Sequence, residues 1–270
     1  MKNTRRQHNV LQSTMEPRGI LNLTLNDPAR RNALSEAMLA ALGAAFDAAS
    51  TNADVRAIIL SAAGSVFCAG HDLKEMTAGR QNADRGRAFF TKILDQCSSV
   101  MQKIVTCPKP VIAEVDGVAT AAGCQLVASC DLAVASEIAQ FCTPGVHIGL
   151  FCSTPMVALS RNLANKHAME MLLTGDMVPA SRAAEMGLVN KVVPSTELRA
   201  AGMALAGKIA AKSSLTVATG KRAFYQQKEM DLAAAYNYAS KIMVENMLAR
   251  DAEEGIAAFI EKRAPDWRDE

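Results

Sequence analysis

Apolar segments that predict buried strands alternate with segments that predict helices, and this alternation constrains the fold more than any other feature of the chain. Residues 117–136, GVATAAGCQLVASCDLAVAS, predict a strand, a glycine turn, a helix and another strand. The segments GILNLTLN, VRAIILSAAG and PVIAEVDG predict three strands upstream. Up to about residue 195 the units are strand–strand–helix rather than strand–helix, which indicates an α/β fold.

The part of the chain after Glu197 carries no strand signal and predicts four helices, the last of which is AEEGIAAFIEKR. That helix is amphipathic, with Ile256, Phe259 and Ile260 on one stripe. Such a helix packs on its own core or on a neighbouring subunit. The expected regions are a flexible N-terminal extension over 1–18, an α/β core over 19–200 and a helical oligomerisation region over 201–270.

Composition narrows the range of partners and locations. A net charge of +2 and an aromatic content of 4% argue against a nucleic-acid partner. No apolar stretch reaches the roughly 18 residues that a membrane helix needs, so we expect no membrane partner.

The seven cysteines form no C-x-x-C pair, which argues against a metal site and favours reduced thiols in the cytoplasm. The start MKNTRRQHNV is no secretory signal, but a trimmed transit peptide and a mitochondrial matrix location stay open for a eukaryotic source.

Two loops, FCAGHDL and TAAGCQL, place small residues where a helix begins after a strand. The first N–H groups of a helix have no partner within it, and small residues let a ligand approach the backbone closely. Two such N–H groups aimed at one point would form an oxyanion hole. Tight packing of a helix on a strand explains the same residues equally well.

Six segments together resemble the enoyl-CoA hydratase/isomerase (crotonase) superfamily. They are DPARRNALS, FCAGHDLKEM, VDGVATAAGCQLVASCDLAVAS, FCTPGVHIGL, LLTGDMVPASRAAEMGLVNKVV and EGIAAFIEKRAPDW, in that order. The resemblance extends from about Gly19 to Arg268. It implies a crotonase-like spiral of ββα units with a helical C-terminal trimerisation region, and a homotrimer or a hexamer built from two trimers.

The resemblance also implies a function on acyl-CoA thioesters, in fatty acid or related acyl-CoA metabolism, with no cofactor beyond the CoA that the substrate carries. The backbone N–H groups of His71 and Ala122 match the family's oxyanion hole. The positions that match substrate contacts are Arg30, Arg31, Ala69, His71, Asp72, Leu73, Lys74, Ala122, Gly123, Trp267 and Arg268. For the arginines, a solvated surface charge is the alternative.

The catalytic carboxylates of the family are missing. Hydratases of this family use two glutamates, and the matching positions here hold Gln125 and Gly145. A further acidic residue of dienoyl isomerases matches Ser153. An amide, a glycine and a hydroxyl cannot exchange protons as carboxylates do near neutral pH. We therefore do not expect efficient hydration, and a catalytically silent, trimeric CoA-thioester-binding protein remains the alternative to an enzyme.

Several other side chains are candidates for substitute chemistry. They are His71, His147, Cys68, Cys152, Ser153 and Thr154. For Ser153 and Thr154 we favour capping of the helix that begins at STPMVALSR. Glu75 and Glu114 are expected to be a surface group and a strand-end group, respectively.

Overall fold

The computed structural model describes residues 9–270, so the first eight residues of the expected N-terminal extension lie outside the described part. The strands are β1 Leu11–Glu16, β2 Ile20–Leu25, β3 Ala57–Ala62, β4 Val66–Cys68, β5 Val111–Val115, β6 Val118–Thr120, β7 Leu132–Ser136, β8 Gln140–Cys142, β9 Val178–Pro179 and β10 Lys191–Val193. The α-helices are α1 Glu36–Thr51, α2 Leu73–Gly79, α3 Arg87–Thr106, α4 Ala122–Ser129, α5 Ser153–Asn162, α6 Asn165–Thr174, α7 Ala180–Met186, α8 Leu198–Ala210, α9 Ser214–Gln227, α10 Leu232–Met247 and α11 Arg250–Glu261.

The strands form two sheets, and consecutive strands alternate between them. The larger sheet has the order β1-β2-β3-β5-β7-β10 and the smaller one the order β4-β6-β8-β9. The pairs β3/β4, β5/β6 and β7/β8 each contribute one strand to each sheet, and helices follow each pair. The chain therefore winds as a spiral of ββα units, as the sequence predicted.

Side chains cap the starts of α1 and α2. Ser35 precedes α1, and its hydroxyl accepts the Met38 N–H at 3.2 Å. Asp72 precedes α2 and accepts two N–H groups of the first turn. Both caps satisfy N–H groups that the helix itself leaves unpaired.

The expected boundary at residue 18 is wrong within the described residues. β1 pairs antiparallel with β2 along its whole length, from Leu11 opposite Leu25 to Glu16 opposite Ile20. Only Leu11 of this edge strand is fully buried, so the segment LQSTME lacks the apolar alternation that identifies a strand. Main-chain pairing with β2, rather than its own side chains, places β1 in the core sheet.

The boundary at residue 200 also needs correction, because α8 belongs to the core. Leu198, Ala206 and Ala210 of α8 pack against Ile59 of β3 and Ile112 of β5 in a second buried cluster on the larger sheet. A Cβ on Gly202 would lie 2.5 Å from the Glu114 carboxylate, so α8 packs closely on this side chain of β5. The helical region that projects from the core begins with α9.

α9 is attached to the core by a buried ion pair. Lys221 Nζ lies 2.6 Å from Asp131 Oδ2, and the Lys221 side chain is 6% exposed. Tyr225 Oη donates to Asp131 Oδ1 at 2.9 Å, and Val111 N donates to Oδ2 at 2.7 Å. Burial and the Asp131 charge raise the pKa of Tyr225, so it remains a hydrogen-bond donor. This cluster holds α9 against the ends of α3 and α4.

No helix among residues 9–270 is both long and apolar enough to cross a membrane.

Lys221 supplies the cation of the buried cluster that holds α9 on the core, so replacing it should detach α9. Lys221→Met leaves the Asp131 carboxylate buried without its cation, which should lower the free energy of unfolding by about 3–5 kcal/mol. Urea denaturation measures the change. Arg222→Met, at the exposed neighbouring position of α9, is the matched control and should change stability little. Equal losses in the two variants would contradict the anchoring role.

Candidate functional site

The first loop of the candidate site leads from β4 into α2. Gly70 adopts φ +84°, and its carbonyl accepts the Leu34 N–H at 2.7 Å. Asp72 Oδ1 accepts two N–H groups of the first turn of α2, at 2.9 and 3.3 Å. The loop is thus held on both sides of His71, whose own N–H donates to no acceptor among residues 9–270.

The second loop leads from β6 into α4. Ala121 adopts φ 51° and ψ −118°, a conformation that costs energy for a residue with a Cβ. Its N–H donates to Cys142 O at 2.9 Å, which ties the turn to the end of β8. Ala122 is the first residue of α4, and its N–H likewise has no acceptor within the described chain.

These two loops touch each other. A Cβ built on Gly70 would lie 3.0 Å from Ala121 Cβ and 3.3 Å from Ala122 N. A Cβ on Gly123 would lie 2.2 Å from Cys68 O. Gly123 was expected to leave room for a ligand, but its missing side chain instead lets α4 pack on the end of β4. The close packing brings the unpaired N–H groups of the two loops into one region.

The two positions that were expected to match catalytic glutamates have different surroundings. Gln125 follows Ala122 by one helical turn and is 4% exposed. Gly145 lies in the short 3₁₀ helix Pro144–Ile148, and a Cβ there would lie 2.9 Å from both Leu150 O and Cys152 Sγ. The space that a second carboxylate needs is therefore filled by the chain's own backbone and a thiol.

The expected cap on α5 is wrong. Cys152 occupies the N-cap position and makes no side-chain cap, and Ser153 Oγ donates weakly to Phe151 O at 3.4 Å. The sequence rule places proline at the first helical position, whereas Pro155 is the third residue of α5. Ser153 N donates to Phe151 O at 2.8 Å, so the chain already turns before α5 begins.

His71 is the candidate general base nearest the two loops. Both of its ring nitrogens are buried, and neither makes a well-formed hydrogen bond with any of residues 9–270. Burial lowers the pKa of the imidazole, with a smaller opposing effect from the Leu34 backbone, so the ring is neutral near pH 7. His147 is engaged elsewhere, because its Nε2 lies 2.8 Å from Thr174 O at the end of α6.

The cysteine candidates are poor nucleophiles. Burial raises the pKa of the Cys68 thiol to about 12 and also raises that of Cys152. Both are therefore protonated at neutral pH, and the thiolate is the reactive form.

The remaining carboxylates serve neighbouring elements. Glu75 Oε2 accepts the Glu36 N–H at 2.9 Å, which joins α2 to the start of α1. Glu114 is buried in β5 and lies 3.5 Å from Arg199 of α8, and burial raises its pKa. Neither carboxylate is free to serve the two loops.

The residues that were expected to contact substrate fall into two groups. Some pair with other residues of the chain, and the others are exposed. Arg30 Nε lies 2.7 Å from Asp27, and Arg30 Nη1 lies 3.5 Å from Asp72, so this arginine ties its own loop to the start of α2. The carbonyl of Arg31 accepts the N–H of Ala69 at 3.1 Å, while its side chain is exposed. Leu73 and Lys74 of α2 are exposed beside the first loop.

Trp267 and Arg268 are fixed to their own chain through the C-terminal tail. Trp267 Nε1 donates to Ala211 O at 3.0 Å, and its ring packs so closely on α11 that a Cβ on Gly255 would lie 3.0 Å from it. Arg268 N donates to Asp251 Oδ1 at 2.9 Å, and its side chain is exposed. The indole thus joins the C-terminal tail to α8 and α11, and its expected contact with substrate stays a prediction.

No group of three or more His, Cys, Asp or Glu residues that could hold a metal ion occurs in the part of the chain that the structure describes.

A cavity of about 510 Å³ lies between α3, α4, α5 and α9. Gln125, Ala128 and Ser129 form its α4 wall, and Tyr225 of α9 forms part of the opposite wall. Sequence reasoning missed this cavity, because its walls come from helices that are distant in the chain.

Comparisons with known proteins match both the sequence and the fold. The model of the enoyl-CoA hydratase/isomerase family matches residues 15–270. The enoyl-CoA hydratase domain-containing protein 3, mitochondrial, of Rattus norvegicus is 49% identical over 257 residues, covering 95% of this chain and 84% of the relative. The crystal structure of the human enoyl-CoA hydratase domain-containing protein 3 matches with a TM-score of 0.90 and 47% identity, covering 96% of this chain and all of that one. An enoyl-CoA hydratase structure from Mycobacterium smegmatis matches with a TM-score of 0.91 and 50% identity, covering 96% and 98% of the two chains. The segments TAAGCQLVASCD and GLFCSTP predict that this chain resembles the family branch of the enoyl-CoA hydratase domain-containing protein 3. The comparisons confirm this prediction.

The crowding at Gly145 predicts a stability effect. Gly145→Ala forces a Cβ against Leu150 O, so we expect the free energy of unfolding to fall by about 1–3 kcal/mol. Gly220→Ala is the matched control, since no atom lies within 4 Å of its built Cβ. An alanine at this position, in the interior of α9, should raise the free energy of unfolding by about 0.5–1 kcal/mol. Thermal denaturation of both variants measures the effects, and a neutral Gly145→Ala would show that the loop yields easily.

The buried imidazole of His71 predicts a pH dependence. Because its folded-state pKa lies below the unfolded value, the unfolded chain takes up this proton first as the pH falls below about 6.5. The free energy of unfolding should then decrease on acidification, by at most about 1.4 kcal/mol per pH unit from this group. Urea denaturation at about pH 7.5 and about pH 5.5 measures the slope. His71→Asn should reduce this slope, whereas the control His167→Asn should not. An unchanged slope in both variants would refute the assignment of the pH dependence to His71.

Proposed function

The chain belongs to the enoyl-CoA hydratase/isomerase family of acyl-CoA enzymes, and from that premise we propose that the N–H groups of His71 and Ala122 hold the carbonyl oxygen of an acyl-CoA thioester. The observation that carries the proposal is the pair of touching loops in which the N–H groups of His71 and Ala122 have no acceptor among residues 9–270. A carbonyl oxygen accepts two hydrogen bonds, so one thioester satisfies both donors.

Two such donors favour an enolate over the neutral thioester, because negative charge develops on the oxygen that they contact. Donors of this kind act without reorganisation, and each typically contributes about 10²–10³ in rate. The exposed side chains of Arg31 and Lys74, beside the first loop, are proposed to meet the phosphates of CoA. CoA enters as part of the substrate, and the proposal needs no separate cofactor.

Efficient hydration of a double bond is not part of the proposal. Gln125 cannot exchange a proton as a carboxylate does, and a carboxylate at position 145 would collide with Leu150 and Cys152. The His71 ring, which is neutral near pH 7, lies in the first of these loops. These observations favour a second candidate function, in which the site binds and polarises thioesters without turnover.

Family membership also supports proposals on the oligomeric state and the cellular location of the protein. We propose a homotrimer or a dimer of trimers, which would cover the large apolar side chains exposed on the projecting helices. These include Leu232, Tyr236, Leu248, Phe259 and Ile260. The mitochondrial designation of the rat relative supports the matrix alternative for a eukaryotic source and does not support the cytoplasmic expectation.

The experiment that tests the proposal compares ligands with and without the carbonyl group. Acetyl-CoA should bind more tightly than its thioether analogue S-ethyl-CoA in calorimetric titration, and the carbonyl stretch of bound acetyl-CoA should shift to lower frequency. Crotonyl-CoA should bind without hydration above the buffer rate. Equal affinities with an unshifted carbonyl would overturn the oxyanion assignment, and rapid hydration would overturn the account of the missing carboxylates.

Removing one donor should weaken thioester binding. Ala122→Pro deletes the N–H at the first position of α4, where a helix needs none, and we expect about tenfold weaker acetyl-CoA binding from one lost hydrogen bond. Asn165→Pro, at the exposed first position of α6, is the matched control and should bind normally. Circular dichroism checks the fold of both variants. A folded Ala122→Pro variant with unchanged affinity would contradict the role of this N–H.

A further inference from the structure

Asn32 lies in the connection between β2 and α1, residues 26–35, and is completely buried. Its Oδ1 accepts the Asp27 N–H at 2.8 Å, which closes the connection on itself. Its Nδ2 donates to Ala63 O at 2.8 Å and to Val66 O at 2.7 Å. These two carbonyls lie on either side of the turn between β3 and β4. One amide therefore fastens the β2–α1 connection to the strand pair that leads into the first loop of the site.

The main chain on either side of this asparagine holds the loop that carries His71. Before it, Arg31 O accepts the Ala69 N–H at 3.1 Å. After it, Leu34 N donates to Gly70 O at 2.7 Å, and Leu34 pairs with His71 as an isolated parallel bridge. The segment that contains the asparagine is therefore the support of the first loop.

One of these hydrogen bonds sets the direction of a proposed oxyanion donor. Gly70 O and the His71 N–H belong to the same peptide group, which is planar and trans. The bond from Leu34 to Gly70 O therefore also fixes the direction in which the His71 N–H points. Gly70 contacts the second loop as well, because a Cβ built on it would lie 3.3 Å from Ala122 N. A shift of residues 31–34 would thus turn one donor relative to the other.

The β2–α1 connection needs this anchor because its backbone is strained at the same place. Arg31 and Asn32 adopt φ values of 55° and 52°, in the left-handed region. This conformation is uncommon for residues with a Cβ, although asparagine tolerates it better than most. Strained residues of this kind persist only where surrounding contacts fix them. The three hydrogen bonds of the Asn32 side chain are such contacts.

We infer that Asn32 is a positioning residue for the thioester site. It fixes the β2–α1 connection, and through the bond between Leu34 and Gly70 it fixes the direction of the His71 N–H. Its side chain is paired within the chain, so it acts through the main chain and not on the ligand. A hydrogen bond weakens steeply as its donor turns away from the acceptor, so a rotated His71 N–H would hold a thioester oxygen less well. The inference rests on the proposed function of the two loops and adds a residue outside them.

The test compares acetyl-CoA with the thioether S-ethyl-CoA by calorimetric titration, because the ratio of the two affinities isolates the contact with the carbonyl oxygen. Asn32→Gly removes the three hydrogen bonds and places at this position a residue that adopts positive φ readily. The preference for acetyl-CoA should fall about tenfold, the effect of about one lost hydrogen bond. The carbonyl stretch of bound acetyl-CoA should also move back toward its frequency in the free ligand. A loss of stability alone changes neither readout.

Two further variants complete the test. Asn26→Gly makes the same change in the same connection, where the amide donates to Asn9 O at 3.0 Å, and it should keep the preference. Asn32→Asp keeps the shape of the side chain and the acceptor for the Asp27 N–H, but it loses the donor to the two carbonyls of the β3–β4 turn. It should also lower the preference, and it serves if the glycine variant does not fold. Circular dichroism checks the fold of each variant.

The outcomes separate this inference from the proposed function. If the unmodified protein binds both ligands equally and leaves the carbonyl stretch unshifted, the oxyanion site is wrong and the inference is wrong with it. If the unmodified protein prefers acetyl-CoA and a folded Asn32→Gly or Asn32→Asp variant keeps the full preference, the oxyanion site stands and the positioning role is wrong. An equal loss of affinity for both ligands would give Asn32 a purely structural role and would also overturn the inference.

Discussion

The close approach of two strand-to-helix turns is the contact on which the candidate site depends. Gly70 and Gly123 lack the Cβ atoms that would collide with the facing backbone, so the start of α4 packs directly on the end of β4 and on the loop before α2. A side chain at either position would separate the turns. The strained Ala121 turn, tied to β8 by its N–H, belongs to the same arrangement. The energy stored there is offset by the packed sheets around it.

The two positions that the resemblance matches to catalytic glutamates, 125 and 145, differ in their surroundings as well as in their side chains. At position 125 an amide of nearly the same shape keeps the site polar but removes proton exchange. At position 145 the chain itself has closed over the space, because Leu150 O and the Cys152 thiol lie where a side chain would begin. A carboxylate at position 145 would therefore need a different path for residues 145–152.

The cavity depends on a helix that the sequence places far from it. Asp131, at the start of β7, accepts hydrogen bonds from Lys221 and Tyr225 of α9, and this buried cluster presses α9 over the cavity wall formed by Gln125. The same helix belongs to the projecting region that we propose to mediate assembly. The stability of the Asp131 cluster and the shape of the cavity are therefore coupled.

Local patterns determined the α/β class, the ββα order, the caps at Ser35 and Asp72 and the family, because each depends on neighbouring residues or on motifs in a fixed order. The tertiary structure alone decided that β1 joins the core sheet, that α8 packs on it, and that Arg30 and Trp267 serve their own chain. It also decided that Gly123 makes a packing contact and that Gln125 faces a cavity. The reason is physical: strand pairing, burial and the partner of a charged group depend on contacts between residues distant in sequence. The residues of one segment do not by themselves specify which distant atoms will contact it.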